Sequence, residues 1–98
     1  MAVPVIRYQA EAAEQRVIEP LDQMTLIYQR RSGITHIVTE PVPQMLEAMG
    51  DDVIAADQLL TRLAADFDLQ SDDEALQAIA ARLEELADLG LVERISNA

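Results

Sequence analysis

The sequence has no cysteine, no lysine and no tryptophan, and only three of its 98 residues are aromatic. Without cysteine the chain can form no disulfide bond and has no thiolate for catalysis or metal binding. Three aromatic side chains are too few for a platform on which bases stack. Leucine, isoleucine, valine, alanine and methionine must therefore fill the core.

Long apolar runs are also missing. No segment approaches the roughly 18 consecutive apolar residues of a membrane span, and residues 1–7 lack the apolar centre of a secretory signal. We therefore expect a cytoplasmic protein. Half of the residues are apolar and 26% are charged, which is typical of a globular chain. At this length we expect one domain over residues 1–98 that buries about 60 to 65 per cent of its unfolded surface.

Positive charge is scarce. Seven arginines face 18 acidic residues, and the formal net charge at pH 7 is −11. A phosphate backbone or an anionic membrane surface would be repelled by such a chain. The composition thus predicts that neither nucleic acid nor membrane is a partner.

Two β-rich segments, residues 24–29 and 34–39, predict an antiparallel hairpin. The loop between them is Arg30-Arg31-Ser32-Gly33, in which Gly33 can adopt a positive φ. Weaker strand signals lie at residues 3–8 and 16–18. The stretch between those two segments is compatible with either a loop or a helical turn.

Two short helices are predicted after the hairpin. Pro41 and Pro43 end the sheet and suit a first helical turn, after which apolar residues recur at helical spacing up to Gly50. A second helix is predicted over residues 56–67, because its leucines fall on one face.

The third helix has the clearest boundaries. Ser71 and Glu74 have the spacing of a capping box, which predicts the start of the helix. Gly90, just after Leu89, suits a left-handed stop closed by an apolar contact from Leu91. Residues 91–95 can add a short final strand. Together these patterns predict an α+β fold that is winged-helix-like, with a small antiparallel three-stranded sheet followed by three helices.

Catalytic chemistry finds little support in the sequence. His36 is the only histidine, and in a strand it would lie roughly 13 Å from Glu40, too far for an acid/base pair. We interpret His36 as a strand residue that packs or makes one hydrogen bond. The acidic clusters lack calcium-loop spacing, and capping explains one of them. We therefore predict no enzyme, no metal and no cofactor.

A winged-helix regulator that binds DNA or another protein remains the alternative. The third helix argues against DNA, because only Arg82 balances its acids, and only Arg30 and Arg31 at the hairpin tip would help. An acidic carrier protein is disfavoured because no Asp-Ser-Leu triplet offers a serine for a pantetheine arm.

Backbone chemistry is the remaining possibility. A strand at a sheet edge presents unpaired amides and carbonyls that can accept an extended peptide as an added strand. The candidate edge is the strand over residues 34–39, and the third helix is the candidate facing wall, with Arg82 either meeting the peptide or pairing with Glu85. The predicted peptide-binding residues are Ile34, Thr35, His36, Ile37, Val38, Ala75, Ala78, Ile79, Arg82 and Leu86.

Three stretches carry a resemblance to a known family: Ser32-Gly33-Ile34-Thr35-His36-Ile37-Val38, the second helix Gln58-Leu59-Leu60-Thr61-Arg62-Leu63-Ala64-Ala65-Asp66-Phe67, and the ending Leu86-Ala87-Asp88-Leu89-Gly90-Leu91-Val92-Glu93. They resemble the PqqD-like peptide chaperones, the recognition elements of ribosomally made, modified peptides, in the branch associated with an HPr-kinase-related protein. The resemblance implies a non-enzymatic chaperone. A precursor (leader) peptide would lie between the third strand and third helix for delivery to a modifying enzyme in the biosynthesis of a peptide natural product or cofactor.

Overall fold

The structure is a computed structural model that describes residues 6–67 and 72–95. Within these ranges there are six strands, three α-helices and one 3-10 turn at Ala13–Gln15. In chain order the strands and helices are β1 (Arg7–Ala10), β2 (Arg16–Leu21), β3 (Met24–Gln29), β4 (Thr35–Val38), α1 (Val42–Met49), β5 (Ile54–Ala55), α2 (Ala56–Phe67), α3 (Asp73–Asp88) and β6 (Val92–Ile95). None of the helices in the described ranges is long and apolar enough to cross a membrane.

The strands form two antiparallel three-stranded sheets instead of the single sheet that the sequence predicted. We call the sheet with strand order β5-β1-β6 the terminal sheet and the sheet with order β2-β3-β4 the hairpin sheet. The α+β class and the three helices are confirmed. The predicted order, one three-stranded sheet followed by three helices, is wrong because β5 follows α1 and pairs with β1. The short final strand predicted over residues 91–95 is present as β6, and it also pairs with β1.

The hairpin sheet has one face toward the core. Thr25, Ile27 and Gln29 are buried, whereas the residues that alternate with them point outward. The predicted bounds of β3 are confirmed, and β4 is shorter at each end than predicted. Gly33 has a φ of +73° in the connecting loop, as expected for a hairpin turn.

The second helix begins without a hydroxyl or carboxylate cap. Ala55 precedes α2 and has no side chain that can accept a hydrogen bond. The Gln58 side chain reaches back instead, and its Oε1 accepts from the Ala55 amide at 3.0 Å. This is the returning half of a capping box, and it satisfies one amide at the helix start.

The ends of α3 are closed by local hydrogen bonds. Asp72 is the N-cap, and its carboxylate accepts from the Ala75 amide at 2.8 Å. The predicted cap, Ser71, lies outside the described residues, and the cap is one position later than predicted. At the other end Gly90 has a φ of +79°, and the Leu91 amide donates to the Leu86 carbonyl at 2.9 Å. This Schellman arrangement confirms the predicted stop.

One core cluster joins the two sheets and the three helices. The most buried side chains come from β3, α1, β5, α2, α3 and the residue before β6: Ile27, Met45, Leu46, Met49, Ile54, Leu59, Leu63, Leu83 and Leu91. Val38 of β4 belongs to the same cluster as Ile79 and Leu86 of α3. The core thus connects the hairpin sheet to the third helix.

Candidate functional site: the open edge of the hairpin sheet

β4 lies at the edge of its sheet. It pairs antiparallel with β3, with Thr25 opposite Val38 and Tyr28 opposite Thr35. Within residues 6–67 and 72–95, no other strand pairs with β4. Its second side is therefore open, which is the arrangement that a strand-adding peptide requires.

The hydrogen-bond pattern decides which main-chain groups of β4 face outward. The Gln29 amide donates to the Ile34 carbonyl at 2.9 Å, so residues 29 and 34 form a hydrogen-bonded pair. In an antiparallel ladder such pairs recur at every second residue, which assigns His36 and Val38 to bonds with β3. The amides and carbonyls of Thr35 and Ile37 therefore point away from β3.

The opposite edge of the same sheet is protected. By the same alternation, Pro20 of β2 turns its ring nitrogen outward, where it can donate no hydrogen bond, and Glu19 adds a charge to that strand. Proline and charged residues are the usual means of blocking edge pairing. β4 contains neither, so it is the less protected of the two edges.

The side chains of β4 alternate between the two faces of the sheet. Thr35 and Ile37 point outward, and Ile37 is 65% exposed. His36 is half-buried and Val38 is buried on the core side. Ile34, in the loop before β4, is exposed. An added strand would thus contact Thr35, Ile37 and Ile34 more readily than Val38.

Gln29 is a buried polar residue that the sequence reasoning missed. It is 3% exposed, and its Nε2 donates to the Gly90 carbonyl at 3.0 Å. Its Oε1 accepts from Ser32 Oγ at 3.1 Å and lies 2.7 Å from His36 Nε2. The bond to the Gly90 carbonyl requires a donor, so it identifies the amide nitrogen and fixes the orientation of the Gln29 carboxamide. The atom near His36 is therefore the carbonyl oxygen, which can only accept, and His36 Nε2 must be the donor.

This network positions β4 relative to the third helix. Gln29 links His36 on β4 to Gly90, two residues beyond the end of α3. The interpretation of His36 as a strand residue with one hydrogen bond agrees with this geometry. A signal for Gln29 was present in the sequence, because it shares the inward-facing register of Thr25 and Ile27 in β3.

The predicted wall on α3 divides into buried and exposed residues. Ile79 and Leu86 are core residues, and Ala75 is half-buried against the same cluster. Ala78 and Arg82 are exposed. The structure records no hydrogen bond or ion pair between β4 and α3 within its described ranges, so the two are joined through the core and through Gln29.

Arg82 pairs with Glu85 on its own helix. The distance from the guanidinium to Glu85 Oε2 is 2.9 Å, and both side chains are about half exposed. Such a solvated pair contributes little to stability and can exchange partners readily. Arg82 therefore remains accessible to a peptide carboxylate or carbonyl.

The groups with perturbed pKa values lie elsewhere, at the contact of α3 with the terminal sheet. The Tyr8 hydroxyl donates to Glu84 Oε2, and Arg94 Nε lies 3.1 Å from both Glu84 carboxylate oxygens. Burial, and next the bond to Glu84, raises the pKa of Tyr8 to about 12. The bonds from Arg94 and Tyr8 lower the pKa of Glu84. This cluster fixes α3 against β1 and β6.

A polar cleft also lies away from β4. It has a volume of about 1100 Å³ and lies beside the start of β6, with Glu11, Asp51 and Glu93 among its lining residues. Arg31 lies 3.1 Å from Glu11 Oε2, and Arg94 is paired with carboxylates of α3. Both cations of this polar cleft are thus already paired, and no group of three or more potential metal ligands occurs in the described ranges.

No family model, curated protein or solved structure matches this chain. Its function must therefore be inferred from the geometry of its own residues. Of the features described, the open and unprotected edge of β4 has the most specific binding chemistry. Tyr8, Glu84 and Arg94 bind one another, and the two arginines of the polar cleft are paired with carboxylates of the chain.

Proposed function

We propose that this protein is a non-enzymatic peptide-binding chaperone that accepts an extended peptide as an added strand along β4. The observation that supports the proposal is the outward direction of the Thr35 and Ile37 main-chain groups on an edge without charge or proline. A β-strand of another chain is the ligand whose hydrogen-bonding groups match that edge.

The added strand would make up to four main-chain hydrogen bonds. Thr35 and Ile37 each offer one amide and one carbonyl, about 6.8 Å apart along the strand. At a net value of roughly 0.5 to 1.5 kcal/mol each, four such bonds supply about 2 to 6 kcal/mol. A dissociation constant of 1 μM corresponds to about 8 kcal/mol, so side chains of the guest must contribute the rest.

Two surfaces are available to those side chains. On the outer face of the sheet the guest would lie beside Ile37, whose large exposed area favours an apolar neighbour. On the core side, Val38 shares a core cluster with Ile79 and Leu86 of α3, and we propose that the guest meets the exposed Ala78 and Arg82 of the same helix. A peptide with apolar residues and at least one acidic residue fits both surfaces.

In its biological role, the proposed guest is a precursor (leader) peptide. The resemblance to PqqD-like chaperones supports this, as does the agreement of the open edge at β4 with the docking edge that the resemblance implies. The chaperone would present the bound peptide to a modifying enzyme or to an HPr-kinase-related protein. We propose no role in nucleic-acid binding, because the exposed surface of α3 carries Glu74, Glu85 and Asp88.

The proposal can be tested by titrating isotope-labelled protein with peptides encoded beside its gene. We expect amide shift changes centred on Thr35 and Ile37, with smaller changes near Ala78 and Arg82. Saturable changes confined to other surfaces, or no response to any such peptide, would contradict strand addition at β4. A mobility shift with DNA at low salt would favour the winged-helix alternative.

Two substitutions of Ile37 distinguish the main-chain contribution to peptide binding from the side-chain contribution. Ile37→Pro removes an outward amide and no bond to β3, so it should weaken binding by about tenfold or more while β4 stays paired. Ile37→Ala keeps the amide and removes only side-chain contact, so it should weaken binding by a smaller factor. Val38→Pro is unsuitable, because the Val38 amide belongs to the ladder with β3. Equal binding by the Pro and Ala variants would refute a main-chain contact at this position.

A further inference from the structure

The outer face of the hairpin sheet is an apolar surface that its own chain leaves uncovered. Strand register places six apolar side chains there, and five of them are between 39% and 65% exposed. Only Glu19 and Thr35 interrupt this set. We call it the outer face, and its apolar residues are Val17, Leu21, Met24, Leu26, Tyr28 and Ile37.

The outer face is large enough to form the centre of a protein interface. The exposed fractions correspond to roughly 400 to 500 Å² of contiguous side-chain surface, which is the size of the largest apolar patch on a typical monomer, and such patches are often functional. A standard interface buries about 800 Å² on each partner, of which some 56 to 65 per cent is apolar. The outer face supplies about that apolar share.

Most of the negative charge of the chain lies in residues 41–98, outside the hairpin sheet. Residues 1–40 contain four arginines and five acidic residues, whereas residues 41–98 contain three arginines and 13 acidic residues. The inner face of the hairpin sheet packs through Ile27 and Val38 on the core that includes the helices. The outer face therefore lies on the side of the hairpin sheet opposite the helices. Repulsion between two copies that meet at this face is weaker than the net charge of −11 alone would suggest.

The two ends of the hairpin sheet carry opposite charges. Arg30 lies in the loop that joins β3 to β4, at one end of the strands, beside Arg31, which pairs with Glu11 but keeps 72% of its side chain exposed. Asp22, in the turn between β2 and β3, and Glu40, just after β4, lie at the other end. Two copies packed face to face with antiparallel strands would place the arginines of each copy over the acids of the other.

We infer that the outer face is a self-association surface, on which a second copy of this chain packs sheet against sheet about a two-fold axis perpendicular to the strands. The apolar side chains form the centre of the interface, and the charged ends select the antiparallel orientation. The edge of β4 stays open in this arrangement, because the two sheets stack and do not join side by side. The inference does not depend on the proposed peptide-binding function.

The test is sedimentation velocity of the purified full chain over a wide range of protein concentration. We expect a reversible monomer–dimer equilibrium. Met24→Asp places a charge in the apolar centre and should raise the dissociation constant at least about tenfold. Ile37→Thr keeps a β-branched residue in the strand and should weaken the dimer without affecting folding. Val53→Asp adds the same charge at a similarly exposed apolar position outside the outer face and should leave the dimer unchanged.

Two further variants distinguish other arrangements. Thr35→Pro removes an outward amide at the edge without touching the apolar residues of the outer face, so it should leave the dimer intact. Arg30→Glu should weaken the dimer, because it removes an attraction between the sheet ends. A strictly monomeric wild type, or a dimer lost in Thr35→Pro and kept in Met24→Asp, would overturn the inference. A dimer unaffected by Arg30→Glu would overturn the antiparallel orientation.

Discussion

Replacement of Gln29 by methionine tests the link between the hairpin and the end of the third helix. The buried carboxamide makes three contacts of 3.1 Å or less, with Gly90, Ser32 and His36. Each is worth roughly 0.5 to 1.5 kcal/mol net, and partners left unsatisfied add to the loss. We therefore expect Gln29→Met to lower the free energy of unfolding by about 2 to 4 kcal/mol. In a domain of this size, that lowers Tm by roughly 10 to 20 °C.

Gln29→Glu tests the same network through the pH dependence of stability. It removes the donor to Gly90 and places a carboxylate beside Glu11, whose side chain is 7% exposed. Burial and this neighbour would raise the pKa of the introduced carboxyl in the folded state. A group with a raised folded pKa stabilises the fold below its unfolded pKa, and that contribution is lost as pH rises. Gln29→Glu should therefore be the less stable variant at neutral pH, and the difference should narrow toward about pH 4 to 5.

Urea unfolding followed by far-ultraviolet circular dichroism measures both variants. Gln77→Met, on the exposed surface of α3, is the matched control and should stay within about 0.5 kcal/mol of the wild type. If Gln29→Met unfolded at the same urea concentration as this control, the network would have no role in stability. A pH-independent difference between the two Gln29 variants would contradict the placement of Glu11.

Five further substitutions test other parts of the structure by the same urea titrations. Tyr8→Phe should cost about 1.5 to 3 kcal/mol and abolish the loss of stability that we expect as pH rises from 10 to about 12, where only the unfolded tyrosine ionises. Glu84→Gln should remove a loss of stability as pH falls through the lowered pKa of Glu84, and an acid transition identical to the wild type would refute this. Gly90→Ala should cost about 1 to 2 kcal/mol from its positive φ alone, since the added Cβ would lie 3.6 Å from Gln29 Nε2, an ordinary contact. Leu83→Ala should cost about 2 to 5 kcal/mol as a core cavity, whereas Arg82→Ala on the same helix should cost less than about 1 kcal/mol.

The elements with strong local signals were predictable from the sequence. The bounds of β3 and α2 agree with the predicted residues, and Gly90 ends α3 as predicted. In each case the deciding interactions lie within a few residues: alternation in a strand, helical periodicity, or hydrogen bonds across one turn. Such signals depend little on the rest of the fold.

The terminal sheet was not predictable in the same way. β1 is stabilised by β6, more than 80 residues later, and by the two-residue strand β5. The segment Arg7–Ala10 has weak strand propensity of its own. It forms a strand because hydrogen bonds and side-chain contacts with β5 and β6 stabilise it. The prediction of a single sheet failed because it considered only neighbouring segments.

The candidate site was predictable in its strand and only partly in its helix. Periodicity identified β4 as a hairpin strand, and its place at the sheet edge followed from chain order. Helical periodicity also placed Ile79 and Leu86 on the apolar face of α3. Only the packing in the structure shows that both side chains are buried in the core and are therefore not available to a peptide. The outward direction of Thr35 and Ile37 depends on the register with β3, which the sequence does not specify.

The pairing of Arg7 with Ile95 means that the terminal sheet can form only after β6 has been synthesised. β1 is synthesised more than 80 residues before β6, so the edge of β1 that pairs with β6 stays unpaired until β6 has been made. A nascent or truncated chain without β6 would expose the edge of β1 and uncover part of the core around Tyr8 and Ala10. The hairpin sheet, whose three strands are consecutive, can form well before that point.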